Sequence, residues 1–336
     1  MESRLTVLQS FPEPRATTNP YLHMLRAALA ATDGVEVLTF SWRRALTARY
    51  DVLHVHWPEV LLRASSRPKV ARRLVLAALL ALRLHLRRTP VVRTLHNVAP
   101  HTPVSRVEGW VLAALLSRTA AVVRLNDETP VPPGTPAVTV LHGHYRDWFA
   151  GHDHHPAEPG RAAFVGLIRP YKNVEGLVRA FAGTAEVLPQ ARLEVAGNPA
   201  DAALGEAIAA VAACDDRVET DLRFLDDAAL VAAVTRAQLV VLPYREMHNS
   251  GVALMALSLD RPVLLPDNEV SRQLAAEVGE EWVHRHTGEL TAQVLAAALA
   301  GTLPPGRPDL SAREWDRAGA DHLTAYRLAT DARRRR

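Results

Sequence analysis

Short runs of β-branched and aliphatic residues alternate with longer alanine- and leucine-rich runs from one end of the 336-residue chain to the other. That alternation is the pattern of repeated strand–helix units, which pack as a parallel sheet with helices on its faces. In the first half the strand candidates are "LTVLQS" (5–10), "VEVLTF" (35–40), "DVLHVHW" (51–57), "VVRTLH" (91–96), "AVVRL" (121–125) and "VTVLH" (138–142). In the second half they are "AAFVG" (162–166), "RLEVAG" (192–197), the weaker "VETDLRF" (218–224), "LVVLP" (239–243) and "PVLLP" (262–266). A second sheet thus starts over, and the length suits two α/β domains rather than one or three. Between the halves, "AGHDHHPAEPGR" (150–161) is polar, holds two prolines and two glycines and lacks helical periodicity, which predicts a linker. The expected division is a first domain over residues 1–150, a linker over 151–161, a second domain over 162–305, and a C-terminal helix with a basic tail over 306–336.

No apolar run reaches the roughly 18 to 20 residues of a membrane span, and the N-terminus has no basic segment, apolar core and cleavage site. Cys214 is the only cysteine, so an intrachain disulfide and a thiolate metal cluster are both excluded. The expected location is cytoplasmic. His152, His154 and His155 in the linker make a poor metal site, with no fixed spacing and no cysteine nearby, and no metal is expected. No nucleic-acid partner is expected either.

Net charge is only +3, but it is unevenly spread. Between Glu59 and Glu108 no carboxylate occurs, while Arg63, Arg67, Lys69, Arg72, Arg73, Arg83, Arg87, Arg88, Arg93 and Arg106 all fall there. Around "LVLAALLAL" (74–82) this makes a basic amphipathic helix. It could be a core helix with solvated ends, or a surface peripheral to the inner face of an anionic membrane. Lys69 and Lys172 are the only two lysines in a chain that otherwise uses arginine, which singles out the ammonium of Lys172.

Ligands of open α/β sheets bind beyond the carboxyl ends of the strands. After the strand ending at Gly166, "LIRPYKN" sets Arg169 and Lys172 close together, a pair suited to a diphosphate. After "LEVAG", Gly197 and Asn198 let the backbone approach a ligand. After "VVLPY", His248, Asn249, Ser250 and Gly251 open an apolar helix whose amides and dipole suit an anion. The alternative is an ordinary cap in which Asn249 or Ser250 bonds its own backbone. Neither a Walker A sequence nor GxGxxG is present.

"FVGLIRPYKNVEGLVRAF" (164–181), "LEVAGNP" (193–199), "RFLDDAALVAAVTRAQLVVLPY" (223–244) and "NSGVALMALSLDRPVLLP" (249–266) together resemble the donor-binding half of GT-B glycosyltransferases, the family-4 group above all. "DVLHVHWPE" (51–59), "TLHNVAPH" (94–101) and "VTVLHGHY" (138–145) resemble first-half segments of the same enzymes. The resemblance implies two facing Rossmann-like domains with parallel sheets, an acceptor in the first, a nucleoside-diphosphate sugar in the second, and a C-terminal helix crossing back to the first. It implies a diphosphate role for Lys172 and a less secure one for Arg169, since Leu167 holds the usual arginine position. His96 matches a histidine near the donor sugar, and Phe224 and Leu225 fall where the base packs. The family's paired glutamates are missing: His248 and Ala256 stand at those positions, and Glu246 has Leu254 at that spacing.

The expected function is therefore transfer of a sugar from a nucleotide donor to a saccharide, lipid-linked or natural-product acceptor, with no cofactor. As the sugar leaves, negative charge grows on the β-phosphate, where Lys172, Arg169 and the Ser250–Gly251 amides would act. Under inversion His96 is the best-placed base, with His101, His142 and His144 weaker candidates. Under the retention that the resemblance implies, the leaving phosphate takes the proton. The alternative for His96 is a histidine satisfied at a strand end. A GT-B nucleotide-sugar epimerase and a non-catalytic nucleotide-sugar-binding subunit are the competing readings.

Overall fold

The computed structural model describes residues 4–96, 105–245 and 247–334. They form two units, one of the chain up to Gly143 together with the segment from Arg313 onward, the other of His144–Ala312. The first unit runs β1 (Leu5–Gln9), α1 (Pro20–Ala31), β2 (Val35–Leu38), α2 (Trp42–Thr47), β3 (Val52–Val55), α3 (Arg67–Leu86), β4 (Val91–Leu95), α4 (Arg106–Leu116), β5 (Thr119–Arg124) and β6 (Ala137–Thr139). Its six-stranded sheet has the order β2-β1-β3-β4-β5-β6, with every pairing parallel.

Strand periodicity explains how both faces are covered. Val7, Val52 and Val92 point to one side, where Leu25 and Leu29 of α1 pack with Ala325 and Tyr326 from the C-terminal segment. Their neighbours Leu8, Leu53 and Val91 point to the other side, against Leu80 and Leu84 of α3 and Leu115 of α4. Each fully buried leucine or valine contributes roughly 2 kcal/mol by leaving water.

The second unit holds α5 (Arg146–Phe149), β7 (Arg161–Val165), α6 (Val174–Ala182), β8 (Arg192–Ala196), α7 (Ala202–Ala212), β9 (Val218–Asp221), α8 (Asp227–Arg236), β10 (Leu239–Val241), α9 (Gly251–Ser258), β11 (Val263–Pro266), α10 (Glu269–Val278), β12 (Val283–His286) and α11 (Ala292–Leu299). The chain then returns to the first unit as α12 (Trp315–Arg334). The second sheet is also parallel, in the order β12-β11-β10-β7-β8-β9. Strand order reverses direction between β1 and β3 in the first sheet and between β7 and β10 in the second. Such points open a crevice at the carboxyl ends of the strands.

The α/β class and the two parallel sheets agree with the sequence reading, but the boundaries shift. The units divide at Gly143 and His144 rather than at 150, and residues 306–312 stay with the second unit. The expected linker, 151–161, and the residues from His144 that precede it are docked on the second unit. The Tyr145 N–H donates to Ser258 Oγ (2.9 Å), Trp148 Nε1 donates to Asp227 (2.9 Å), and the His155 N–H donates to Thr235 Oγ1 (3.1 Å). "VTVLH" and "VETDLRF" contract to the short β6 and β9. The strand β12, "VHRH", is absent from the expected set because it is an edge strand with polar residues and no apolar run.

Candidate active site

In the second unit the switch point lies between the loops that follow β7 and β10. Gly166 ends β7 with a φ of +102°, and its amide donates to Ala196 O on β8 (3.0 Å). Gly197 ends β8 so close to β7 that a Cβ there would collide with the Gly166 carbonyl, which requires glycine. The Ile168 amide then donates to the Asn198 carbonyl (2.9 Å), tying the two loops together. A single 3-10 turn, Pro170–Lys172, follows, and Asn173 takes a left-handed conformation (φ +52°) before α6 starts.

That turn drives Lys172 inward until it is only 7% exposed. Its ammonium lies 5.1 Å from the Tyr244 ring centroid and 5.9 Å from that of Phe164. Among the described residues no carboxylate pairs with it. Burial, and then the nearby Arg169 guanidinium, lowers the Lys172 ammonium from its ordinary 10.5 to about 8. A buried cation held by rings instead of a counter-charge is suited to an incoming anion.

The β10 loop borders the same place. The Arg245 amide donates to Tyr171 O (3.3 Å), and the Tyr171 and Tyr244 rings meet edge to face at 6.1 Å. Burial raises the Tyr244 phenol, which also hydrogen-bonds Ser250. Ser250 caps α9 by accepting from the Ala253 amide (3.2 Å), so the cap reading of this residue is correct. It leaves Gly251 and Val252 to open the helix. A Cβ on Gly166 would touch Val252 Cγ2 at 3.3 Å, which sets the end of β7 against the first turn of α9. Residues 253–258 of α9 are all buried, including the Leu254 and Ala256 of the glutamate comparison.

His248 and Asn249 are half-buried in the same loop, and Asn198 is exposed. Phe224 (59% exposed) and Leu225 follow β9, two strands away from β7 at the sheet edge. Glu246 and His101 lie outside the described residues.

The first unit gathers a second cluster at its own switch point. His56 and His96, buried past the ends of β3 and β4, approach at 3.1 Å through Nδ1 and Nε2. His56 Nε2 is 3.0 Å from Gln9 Oε1, and Gln9 Nε2 donates to the Tyr326 hydroxyl (3.2 Å) on α12. That hydroxyl is 2.9 Å from His54 Nδ1, whose Nε2 reaches Thr94 Oγ1 at 2.8 Å. Trp57 stacks on His96 with ring centroids 4.0 Å apart, and Tyr21 meets its edge at 5.5 Å. Burial holds His96 well below the ordinary imidazole range, helped by His56, His142 and His322. It brings His56 down to about 3, and His142 and His322 to about 4. All four are therefore neutral at neutral pH.

Of the residues singled out in the sequence, the second-unit structure brings together Gly166, Arg169, Lys172, Gly197, Ser250 and Gly251. His96 and His142 belong to the first unit, His144 to the second. Tyr171, Tyr244, Gln9, His56 and Tyr326 were not among them. A signal existed for one: His56 stands two residues after His54, just beyond the end of a buried strand, a spacing that puts both on one face. Among the described residues no cluster of three or more His, Cys, Asp or Glu could hold a metal, the linker histidines included.

No family model matches the chain. It is 45% identical over 331 residues to the GDP-mannose:glycolipid 4-β-D-mannosyltransferase of Xanthomonas campestris pv. campestris, an alignment covering 96% of this chain and 92% of that enzyme. Among solved structures it resembles AviGT4, a glycosyltransferase involved in avilamycin A biosynthesis, with a TM-score of 0.58 and 16% identity over 97% of this chain and 98% of that one. It also resembles the sucrose-phosphate synthase of Thermosynechococcus elongatus, with a TM-score of 0.60 and 15% identity over 98% and 97%. At such identities the structures speak for the fold, which is that of GT-B enzymes. The sequence relation goes further: the chain is a glycosyltransferase and belongs to the family of the GDP-mannose:glycolipid 4-β-D-mannosyltransferase.

Proposed function

We propose that the protein transfers a mannosyl group from GDP-mannose to a hydroxyl of a glycolipid, leaving a β-linkage. The observation that carries this reading is the 45% identity, over nearly the full length of both chains, to an enzyme named for that reaction. An acceptor of this class is anchored in a membrane, so peripheral membrane contact is part of the reading. The second unit is assigned the donor and the first the acceptor.

In the reaction the bond from the sugar C1 to the β-phosphate oxygen breaks, a bond from C1 to the acceptor oxygen forms, and the acceptor hydroxyl loses its proton. Charge appearing on the leaving diphosphate is met by Lys172, Arg169 and the amides opening α9. Each such donor contributes about 3 kcal/mol where water is excluded. The mannosyl bond of GDP-mannose is α, so a β-linked product requires inversion instead of the retention implied by the family-4 resemblance. Inversion needs a base, and His96 is assigned that role.

The test is an assay with GDP-mannose labelled in the sugar and a detergent-solubilised glycolipid fraction. Label moving into the extractable lipid, with a β-anomeric signal by NMR, is the expected result. An α-linked product would remove His96 from the role of base, and label released only as free sugar would remove the transferase assignment of the acceptor.

A further inference from the structure

Helix α3 is apolar on two sides. Its inner face, with Ala77, Leu80 and Leu84, is buried in the first unit. Its outer face carries Val75, Leu79, Leu82 and Leu86 at steps of four, three and four residues, a single helical stripe. These side chains are 61, 47, 55 and 76% exposed. On the adjoining α4, Val107 and Trp110 are 55% and 74% exposed. Leu82, Leu86 and Trp110 line one shallow groove between the two helices. Isolated exposed leucines are ordinary, but a contiguous apolar patch of this kind marks a surface that meets something.

The charge around the patch says what. Arg67, Lys69 and Arg72 stand exposed in the first turns of α3, Arg87 and Arg88 just beyond its end, and Arg106 at the start of α4. Among the described residues Arg67, Arg72, Arg87, Arg88 and Arg106 are in no ion pair. The nearest carboxylate in α4, Glu108, is turned back to the Ser105 amide in a capping box. A second copy of the chain is a poor occupant, because a self-complementary contact would press one cationic rim against another. No described helix is long and apolar enough to cross a bilayer. An apolar stripe flanked by arginine and bearing a half-polar tryptophan instead suits a helix lying in the headgroup region.

We propose that the outer face of α3 and α4 docks on a bilayer containing anionic lipid. Leu82, Leu86 and Trp110 enter the boundary between headgroups and acyl chains, and the surrounding arginines meet lipid phosphates. This deepens the glycolipid reading and rests on it for its purpose, though its physical argument stands on the surface alone.

The test is co-sedimentation of the full chain with vesicles of phosphatidylcholine, with and without phosphatidylglycerol. The wild type is expected to bind the anionic vesicles at least tenfold better, and each exposed arginine changed to glutamine should cost roughly fivefold. The triple variant L82S/L86S/W110S, exposed positions that should leave the far-UV circular dichroism unchanged, should bind roughly 30-fold less or worse. Absence of wild-type binding to anionic vesicles, or equal binding by the triple variant, would overturn the proposal. So would a dimer in sedimentation velocity that the triple variant dissociates, since the face would then be a contact between copies. Mannosyl transfer to glycolipid in detergent micelles separates the two readings: the triple variant retains it if only docking is lost. Vesicle binding without any transfer would count against the acceptor assignment and leave the docking surface standing.

Discussion

His56 stands between Gln9 and His96, its Nε2 3.0 Å from the Gln9 amide oxygen and its Nδ1 3.1 Å from His96 Nε2. An amide oxygen can only accept, so His56 Nε2 carries the proton and its Nδ1 accepts from His96 Nε2–H. The lone pair of His96 therefore lies on Nδ1. In this orientation Gln9 donates its own N–H to the Tyr326 hydroxyl of the C-terminal helix. A residue far along the chain thus joins the hydrogen-bond network that ends at the proposed base.

If His96 is the base, His96→Ala should lower kcat by about 10² to 10⁴, while GDP affinity measured by calorimetry stays unchanged. Gln9→Leu removes the group that orients His56, and should lower kcat about tenfold with the KM for GDP-mannose unaltered. A similar loss of kcat and GDP binding in both variants would instead indicate a damaged fold.

The acid side of the pH profile carries a signed expectation. As the proposed base, His96 would act in its neutral form, and its folded pKa is held well below 6.5 by burial. The neutral form then persists as pH falls through 6.5, so kcat/KM should stay level there and decline only at lower pH. A decline centred at pH 6.5 in steady-state rates would mean that His96 is not buried in the working enzyme.

Lys172 gives the opposite limb. Its free-state value of about 8 means that the ammonium is present below pH 8 and is lost above it. A bound diphosphate stabilises the charged form, so GDP affinity should be greatest below pH 8 and fall as pH rises beyond it, by about tenfold per unit until the bound pKa is reached. Titration calorimetry in two buffers of different ionisation heat should show proton uptake near pH 8.

Stability should move against function at the same residue. A folded pKa below the unfolded one means that folding with the ammonium charged is penalised, fully below pH 8 and not at all above the ordinary 10.5. Lys172→Met should therefore raise the unfolding free energy of the unliganded protein at pH 7, by about 1 to 3 kcal/mol. Urea unfolding curves measure this.

Much of the fold is legible in the chain, because the runs of β3, β7 and β10 are fully buried parallel strands, and those of β1, β8 and β11 largely so, which need no partner information. The edges are not: β12 is polar, and residues 151–161 look like a linker although the His155 N–H donates to Thr235 and docks them. At the candidate site, Lys172 is visible as one of two lysines. Its burial under Tyr244 is not, since a separation of 72 positions (244 less 172) leaves no local pattern. The network from Tyr326 to His96 is hidden for the same reason. Of the two positions where the family carries glutamates, Ala256 is buried in α9, where an unpaired glutamate would be costly, while His248 precedes the helix and is half-buried.

The buried Lys172 is proposed to hold the diphosphate of a guanosine-linked donor. GDP, UDP, dTDP and ADP titrated by calorimetry into the wild type and into Lys172→Met test it directly. GDP should bind tightest to the wild type and lose roughly 100-fold or more in the variant. Preference for another base, or GDP binding that survives the substitution, would contradict it.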